Sequence, residues 1–389
     1  MPAIAFTLEE VKRTVVLTTV HDLHESPHFL ATAVVTAATT TTEALQVIVL
    51  SPLFNPPPDA PPATTESDSA PAPARLEAHD DWHAPGISRT AHFEDVQRLL
   101  TFVYVQATKI AQDLDRVLLD VDVYLKGPAD AFPDEAVRSA ERIFSGVCLS
   151  FQRTGAHPCG DRRAETGICR AVAPNGIPFP PLPASAADRK SEIIVVEPDD
   201  LPSGLSAPAP SSPPDPSLPP LYPVVALGGT FDHLHAGHKI LLSMGAWIAK
   251  EKLIVGITDD SLLGKKQWKE VLEPLPVRTE RTRAFLEHFK PGLEYFITPL
   301  NDVYGPTAHD PNVQALVVSK ETLSGAESIA KKREEMSLQP LRPFVIDVIS
   351  ATEAIVDSGD AAVLRAAKMS STYIREWIVK KQQHTSDAS

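Results

Sequence analysis

Residues 224–239 read VVALGGTFDHLHAGHK, and the order of residue types in this stretch decides the fold. Four apolar residues, Val224, Val225, Ala226 and Leu227, form a short strand that runs into Gly228-Gly229. Thr230 follows, and His235 and His238 arrive as a helix begins. The first backbone N–H groups of a helix have no intrahelical partner and the macrodipole there is positive, so an anion docks readily. Gly237 keeps that helix start bare. A phosphate chain can then approach the backbone while the flanking imidazoles donate hydrogen bonds to oxygens that gain charge during displacement at phosphorus.

From residue 224 onward the chain alternates strand and helix patterns. Strands are expected at 224–228, 252–258, 293–299, 315–319 and 344–349, with helices at 237–250, about 278–290, 324–337 and 370–380. This rhythm predicts an α/β fold, a mostly parallel sheet with helices on both faces. Ligands of such sheets sit outside the carboxyl ends of the strands at a topological switch point. The histidine pair, the Lys265-Lys266 turn and Ser319 all fall after strands, so the fold should bring them together. No GxxxxGK[ST] phosphate loop occurs, which removes a fused kinase of that type.

The HxGH pair behind a strand-GG-T-F-D entry resembles the HxGH nucleotidyltransferase superfamily. The wording GGTFDHLHAGHK is similar to the eukaryotic form of phosphopantetheine adenylyltransferase. Three further landmarks stand in the family's order: Lys265-Lys266, the run 317–322 (VVSKET), and the run 368–372 (KMSST) that opens the last helix. The resemblance covers roughly residues 222–380 and implies a Rossmann-like nucleotidyltransferase domain at the C-terminal end.

It also implies an activity, the transfer of AMP from ATP to 4′-phosphopantetheine to give dephospho-coenzyme A and pyrophosphate. Thr230, with Gly229 and Phe231 beside it, would hold the acceptor phosphate. His238 and His235 would grip the ATP phosphates, and Lys265 or Lys266 would screen repulsion between the two anions. Which lysine does so is open. Gly237, Ser319, Glu321, Thr322, Ser370, Ser371, Thr372 and Arg375 are the expected nucleotide contacts. Asp232 reads as a loop-shaping residue whose carboxylate binds backbone amides of the turn. Mg²⁺ is expected as ATP's counter-ion, held mainly by phosphates and water, with no metal ligand assigned in the chain. Two other readings compete: another superfamily member, such as a cytidylyltransferase or a nicotinamide mononucleotide adenylyltransferase, and a non-catalytic scaffold. The cytidylyltransferase R-T-x-G-[IV]-S-[ST] segment is replaced here by AAKMSST, and Thr230, both histidines and the serine pair in order argue against a mere scaffold.

Outside this region the sequence is less informative. With 389 residues, 43% of them apolar, the chain can hold more than one core. Its 37 prolines gather at 51–74 and 174–223, which read as linkers. Residues 1–150 are expected to form a small α/β domain with a disordered insertion near 51–92. Its strands would lie at 13–20 and 44–50, and its helix at 93–121. Residues 151–221 read as a proline-rich linker, in which 193–196 can pair as an edge strand or stay loose, and 381–389 as a disordered tail. Such linkers imply freely varying orientation of the two halves. The first 223 residues carry 16 basic against 29 acidic side chains, so a nucleic-acid face is not expected there. No apolar stretch approaches the ~20 residues of a membrane span, and residues 1–17 lack the pattern of a signal peptide. Three cysteines without zinc spacing suit a reducing compartment, and the cytoplasm is the expected location. His21, His24 and His28 are read as solvated loop residues rather than metal ligands. The acidic first half is the expected contact surface for other coenzyme A pathway enzymes.

Overall fold

The computed structural model describes residues 8–57, 86–127, 130, 134–146, 192–196, 198–199, 217–346 and 370–387. The first half begins with β1 (Val11–Thr19), α1 (Ala31–Thr40), β2 (Thr41–Leu50), α2 (Phe93–Asp113) and β3 (Asp120–Lys126). It continues with α3 (Asp134–Ser139), β4 (Arg142–Gly146) and β5 (Glu192–Val196). The five strands form one sheet in the order β3-β2-β1-β4-β5, and every pairing is parallel. From Thr14 to Thr19 β1 is buried without alternation, as a strand covered on both faces must be.

The second half contains β6 (Tyr222–Gly229), α4 (Ala236–Ile248), β7 (Ala249–Thr258), α5 (Leu275–Phe289) and β8 (Glu294–Leu300). After these come β9 (Ala315–Ser319), α6 (Leu323–Glu335), β10 (Arg342–Ile346) and α7 (Ser371–Asp387). Its sheet is also parallel, in the order β10-β9-β6-β7-β8. Counted from their own first strands, the two sheets share one order. Each reverses direction beside its first strand, so each has a switch point there. In the second sheet Leu227 pairs with Val317, which brings the ends of β6 and β9 to the same edge.

The halves are not independent. A single apolar core runs through both, joining Val96, Leu100 and Val123 of the first to Ile240, Trp247 and Phe344 of the second. Phe93 meets Phe344 at 5.0 Å between ring centroids, and Phe54 meets Trp247 edge-on at 5.5 Å. The Arg89 guanidinium lies 4.5 Å over the Trp247 ring, whose Nε1 donates to the Arg89 carbonyl at 3.0 Å. Freely varying orientation is therefore corrected: apolar surface buried between the halves outweighs the freedom of the proline-rich connection.

Other boundaries also differ from expectation. The helix expected to reach 121 stops at Asp113, because Asp115 enters the left-handed region at φ 56° and Arg116 N–H folds back onto the Ala111 carbonyl. Within the expected insertion, residues 51–57 and 86–92 are ordered against the core. The expected linker contains β5, which pairs with β4, and the expected tail continues α7 to Asp387. The remaining proline-rich stretches lie outside the described residues, as do Lys368, Met369 and the three cysteines.

Candidate active site

The loop between β6 and α4 is held in a conformation that local sequence alone would not favour. Phe231 and His233 both stand in the left-handed region, at φ 51° and 44°. Such residues cost on the order of 1–3 kcal/mol each and persist only where surroundings over-determine them. Here they do. Phe231 is fully buried, and its ring closes on Gly229, where a Cβ would stand 3.0 Å from it. Asp232, also fully buried, accepts the Glu273 N–H at 2.9 Å and pairs with the guanidinium of Arg375. His233 donates its N–H to Glu273 Oε2 at 2.8 Å and its Nε2–H to the Val271 carbonyl at 2.8 Å. Arg278, without exposed surface, donates to the carbonyls of Thr230 at 2.6 Å, Thr258 at 2.9 Å and Glu273 at 2.9 Å.

At the end of this loop His235 occupies the N-cap of α4 without making a side-chain capping bond, so the helix start keeps free donors. The rings of His235 and His238 stack at 3.9 Å, and Phe231 backs His238 at 5.2 Å. Both residues are half-buried, while both Nδ1 atoms are enclosed and without a partner. An unsatisfied buried polar atom costs roughly 1–3 kcal/mol, so this pair serves something other than stability. Burial, then the nearby His233 and Lys239, push His235 down to about 3, and burial together with His235 holds His238 well below its ordinary range. Both imidazoles are therefore neutral at physiological pH.

This neutrality has a consequence for acid stability. The rings titrate near 6.5 when unfolded but far lower when folded, so below 6.5 the unfolded chain binds more protons. Stability conferred by the neutral pair is complete above that value and lost as pH falls toward about 3. The melting temperature should decline below pH 6.5 less steeply in a His235→Asn/His238→Asn chain than in the parent. Parallel slopes would mean that the rings charge freely in the folded protein.

The other expected residues divide into exposed ones and ones that brace the loop. Lys265 and Lys266 are exposed on a turn closed by Lys266 N–H to the Leu263 carbonyl at 2.9 Å. That turn is tied to the site, since the Gln267 carbonyl receives Arg375 Nε at 2.9 Å. Ser370 caps α7 by accepting the Tyr373 N–H at 3.3 Å, and Ser371 donates to the Asp232 carbonyl at 2.8 Å, so the start of α7 abuts the histidine loop. Arg375 corrects its expected role. It is 2% exposed, and Asp232, Gln267 and Thr372 occupy its donors, so it braces the loop from behind. Ser319 and Thr322 satisfy each other in a reciprocal cap at the end of β9, while Glu321 is exposed.

Arg278, Glu273 and Lys239 were not anticipated from the sequence. Nothing local separates Arg278 from Arg281 and Arg283 in VRTERTR. Two metal-like clusters occur among the described residues, Asp232-His233-Glu273 and His24-His92-Asp95. Their carboxylates are already paired, with Arg375 and Arg281 in the first and with Arg98 in the second.

Comparison with known proteins places relatives over the second half. Residues 226–377 match the cytidylyltransferase-like family model. The phosphopantetheine adenylyltransferase of Saccharomyces cerevisiae is 47% identical over 132 residues, covering 34% of this chain and 43% of that protein. An uncharacterized protein of Schizosaccharomyces pombe is 38% identical over 157 residues, covering 40% and 48% respectively. The matches thus span less than half the length of these two fungal relatives. The phosphopantetheine adenylyltransferase of Pyrococcus furiosus is 39% identical over 128 residues, which cover 33% of this chain and 79% of the archaeal protein. Among the described residues no helix is long and apolar enough to cross a membrane. An identity of 39% over 79% of the archaeal protein shows that the chain belongs to the phosphopantetheine adenylyltransferase family.

Proposed function

We propose that this chain transfers the adenylyl group of ATP to 4′-phosphopantetheine, releasing pyrophosphate and forming dephospho-coenzyme A. The observation that carries this reading is the stacked pair of neutral imidazoles, with unpartnered nitrogens, beside Thr230 in a loop locked from behind. The acceptor phosphate is already ionised near pH 7 and attacks the α-phosphorus in line, so no protein nucleophile is required. The protein's work is alignment and charge stabilisation. Uncharged rings donate hydrogen bonds that strengthen as the transferring group and leaving pyrophosphate gain charge. Lys265 or Lys266 supplies a compact cation between the anions. Mg²⁺ enters as part of MgATP, held by phosphate oxygens and water. Asp232 and Glu273, committed to Arg375 and Arg281, favour this over a protein-bound ion. The cytoplasm, and contact with other enzymes of coenzyme A synthesis through the first half, belong to the same proposal.

The test is pyrophosphate release by purified protein with ATP or CTP and a set of acceptors. 4′-Phosphopantetheine should react and unphosphorylated pantetheine should not, because the missing phosphate is both nucleophile and anchor. Transfer to nicotinamide mononucleotide or phosphocholine with 4′-phosphopantetheine left untouched would overturn the acceptor. The Thr230 hydroxyl takes no partner among the described residues and is free for that phosphate. Thr230→Val should lower kcat/KM for 4′-phosphopantetheine roughly 10–100-fold, the worth of a hydrogen bond to a charged group, with little change in ATP affinity. An equal loss for both substrates would assign Thr230 to the loop's structure instead.

A further inference from the structure

The first turn of α4 carries Lys239 directly after His238, and its ammonium is buried between the halves. Lys239 Nζ donates to Asp120 Oδ1 at 2.5 Å, Asp122 Oδ1 at 2.6 Å and the Val121 carbonyl at 2.9 Å, all three on β3 of the first half. Burial alone would lower its pKa, and Asp122 and Asp120 outweigh that effect and raise it. The surroundings give this cluster a particular task. A cavity of about 680 Å³ is lined from both halves here, by His233, His235, Ala236 and Lys239 of the second and by Leu118 and Tyr124 of the first. Ala236 and Ile240 of α4 pack into the shared core beside it. Lys239 adds the polar tie from the histidine turn to the first half.

We infer that Asp120 and Asp122 are positioning residues for the transfer site, holding the turn that presents His235 and His238 by anchoring Lys239 at the wall of this cavity. The first half is then a working part of the catalytic unit rather than an appendage. The inference rests on the adenylyl-transfer reading, and the mechanism is geometric. An ammonium held by three acceptors on a sheet strand fixes its helix turn in rotation and depth, and a displacement of about 1 Å at reacting groups can cost ~10²-fold in rate.

The experiment uses the full chain with Asp120→Asn/Asp122→Asn, and the same chain with Lys239→Met added. In the doubly substituted protein kcat should fall about tenfold or more while the ATP KM moves by less than about threefold, the mark of lost alignment rather than lost binding. Adding Lys239→Met removes the unpaired buried ammonium and should restore the melting temperature. It should not restore kcat, because the tie is still absent. Imidazole NMR resonances of His235 and His238, recorded with ATP and no acceptor, should shift in both variants. That readout holds whichever acceptor is used, so it separates this inference from the choice of 4′-phosphopantetheine. The inference is overturned if kcat stays within about twofold in the doubly substituted chain, if kcat recovers with the melting temperature, or if the imidazole resonances do not move.

Discussion

His238→Ala lowers kcat for adenylyl transfer by about 10²–10³, the usual cost of one preorganised donor to a developing anion, and leaves the ATP KM nearly unchanged. The split follows from where the ring sits. His238 is backed by Phe231 and stacked on His235, so it is already in place before substrate arrives, and it is uncharged, so it does little for ground-state phosphate attraction. Its hydrogen bond gains value as charge develops. His235→Ala should show a smaller loss, since that ring lies at the N-cap on the cavity side. Pyrophosphate-release kinetics on both variants decide the matter. A kcat for His238→Ala within a few-fold of the parent would remove the histidine from the mechanism.

Asp232→Ala should be the most damaging single change to the loop, costing about 3–5 kcal/mol of stability, as expected when one partner of a buried ion pair is removed. Arg375 would be left 2% exposed with its charge uncompensated, and the Glu273 amide would lose its acceptor. Phe231 and His233 would then lose the brace that holds them at positive φ, so transfer activity should disappear along with the stability. Urea unfolding measures the first effect. Arg375→Met in the Asp232→Ala background should return much of the stability, because an unbranched apolar chain fills the space without a charge, but it should not return activity. Similar stability in Asp232→Ala and the parent would mean that Arg375 finds water in the folded state.

The second half was legible because its central strands β6, β7 and β9 are largely buried and read as apolar runs between turn residues. The strand at 315–319 stands where the sequence places it, and the helix expected at 237–250 differs by one residue at its start and two at its end. The histidine pair, Thr230 and the serines at 370 and 371 were also visible, since each belongs to a short local pattern whose geometry is set by neighbouring residues.

Arginine chemistry was not legible in that way. Arg278, Arg333 and Arg375 are among the largest fully or nearly fully buried side chains described in the second half, yet in sequence each looks like a surface cation or a phosphate ligand. Arg375 finds Asp232, 143 residues away, and Arg333 spends its donors on the carbonyls of Thr307, Asp310, Val313 and Gln339. The period of a pattern reports which face of an element is apolar, but it carries no information about which distant carboxylate or carbonyl will meet a buried charge. The same limit applies to the first half. By itself the sequence determined the alternation of elements, the position of the histidine loop and the family. Only the tertiary structure decided that β5 joins the first sheet, that the two halves share a core, and that Asp120 and Asp122 grip Lys239, because long-range partners are selected by the packing of whole sheets and not by local spacing.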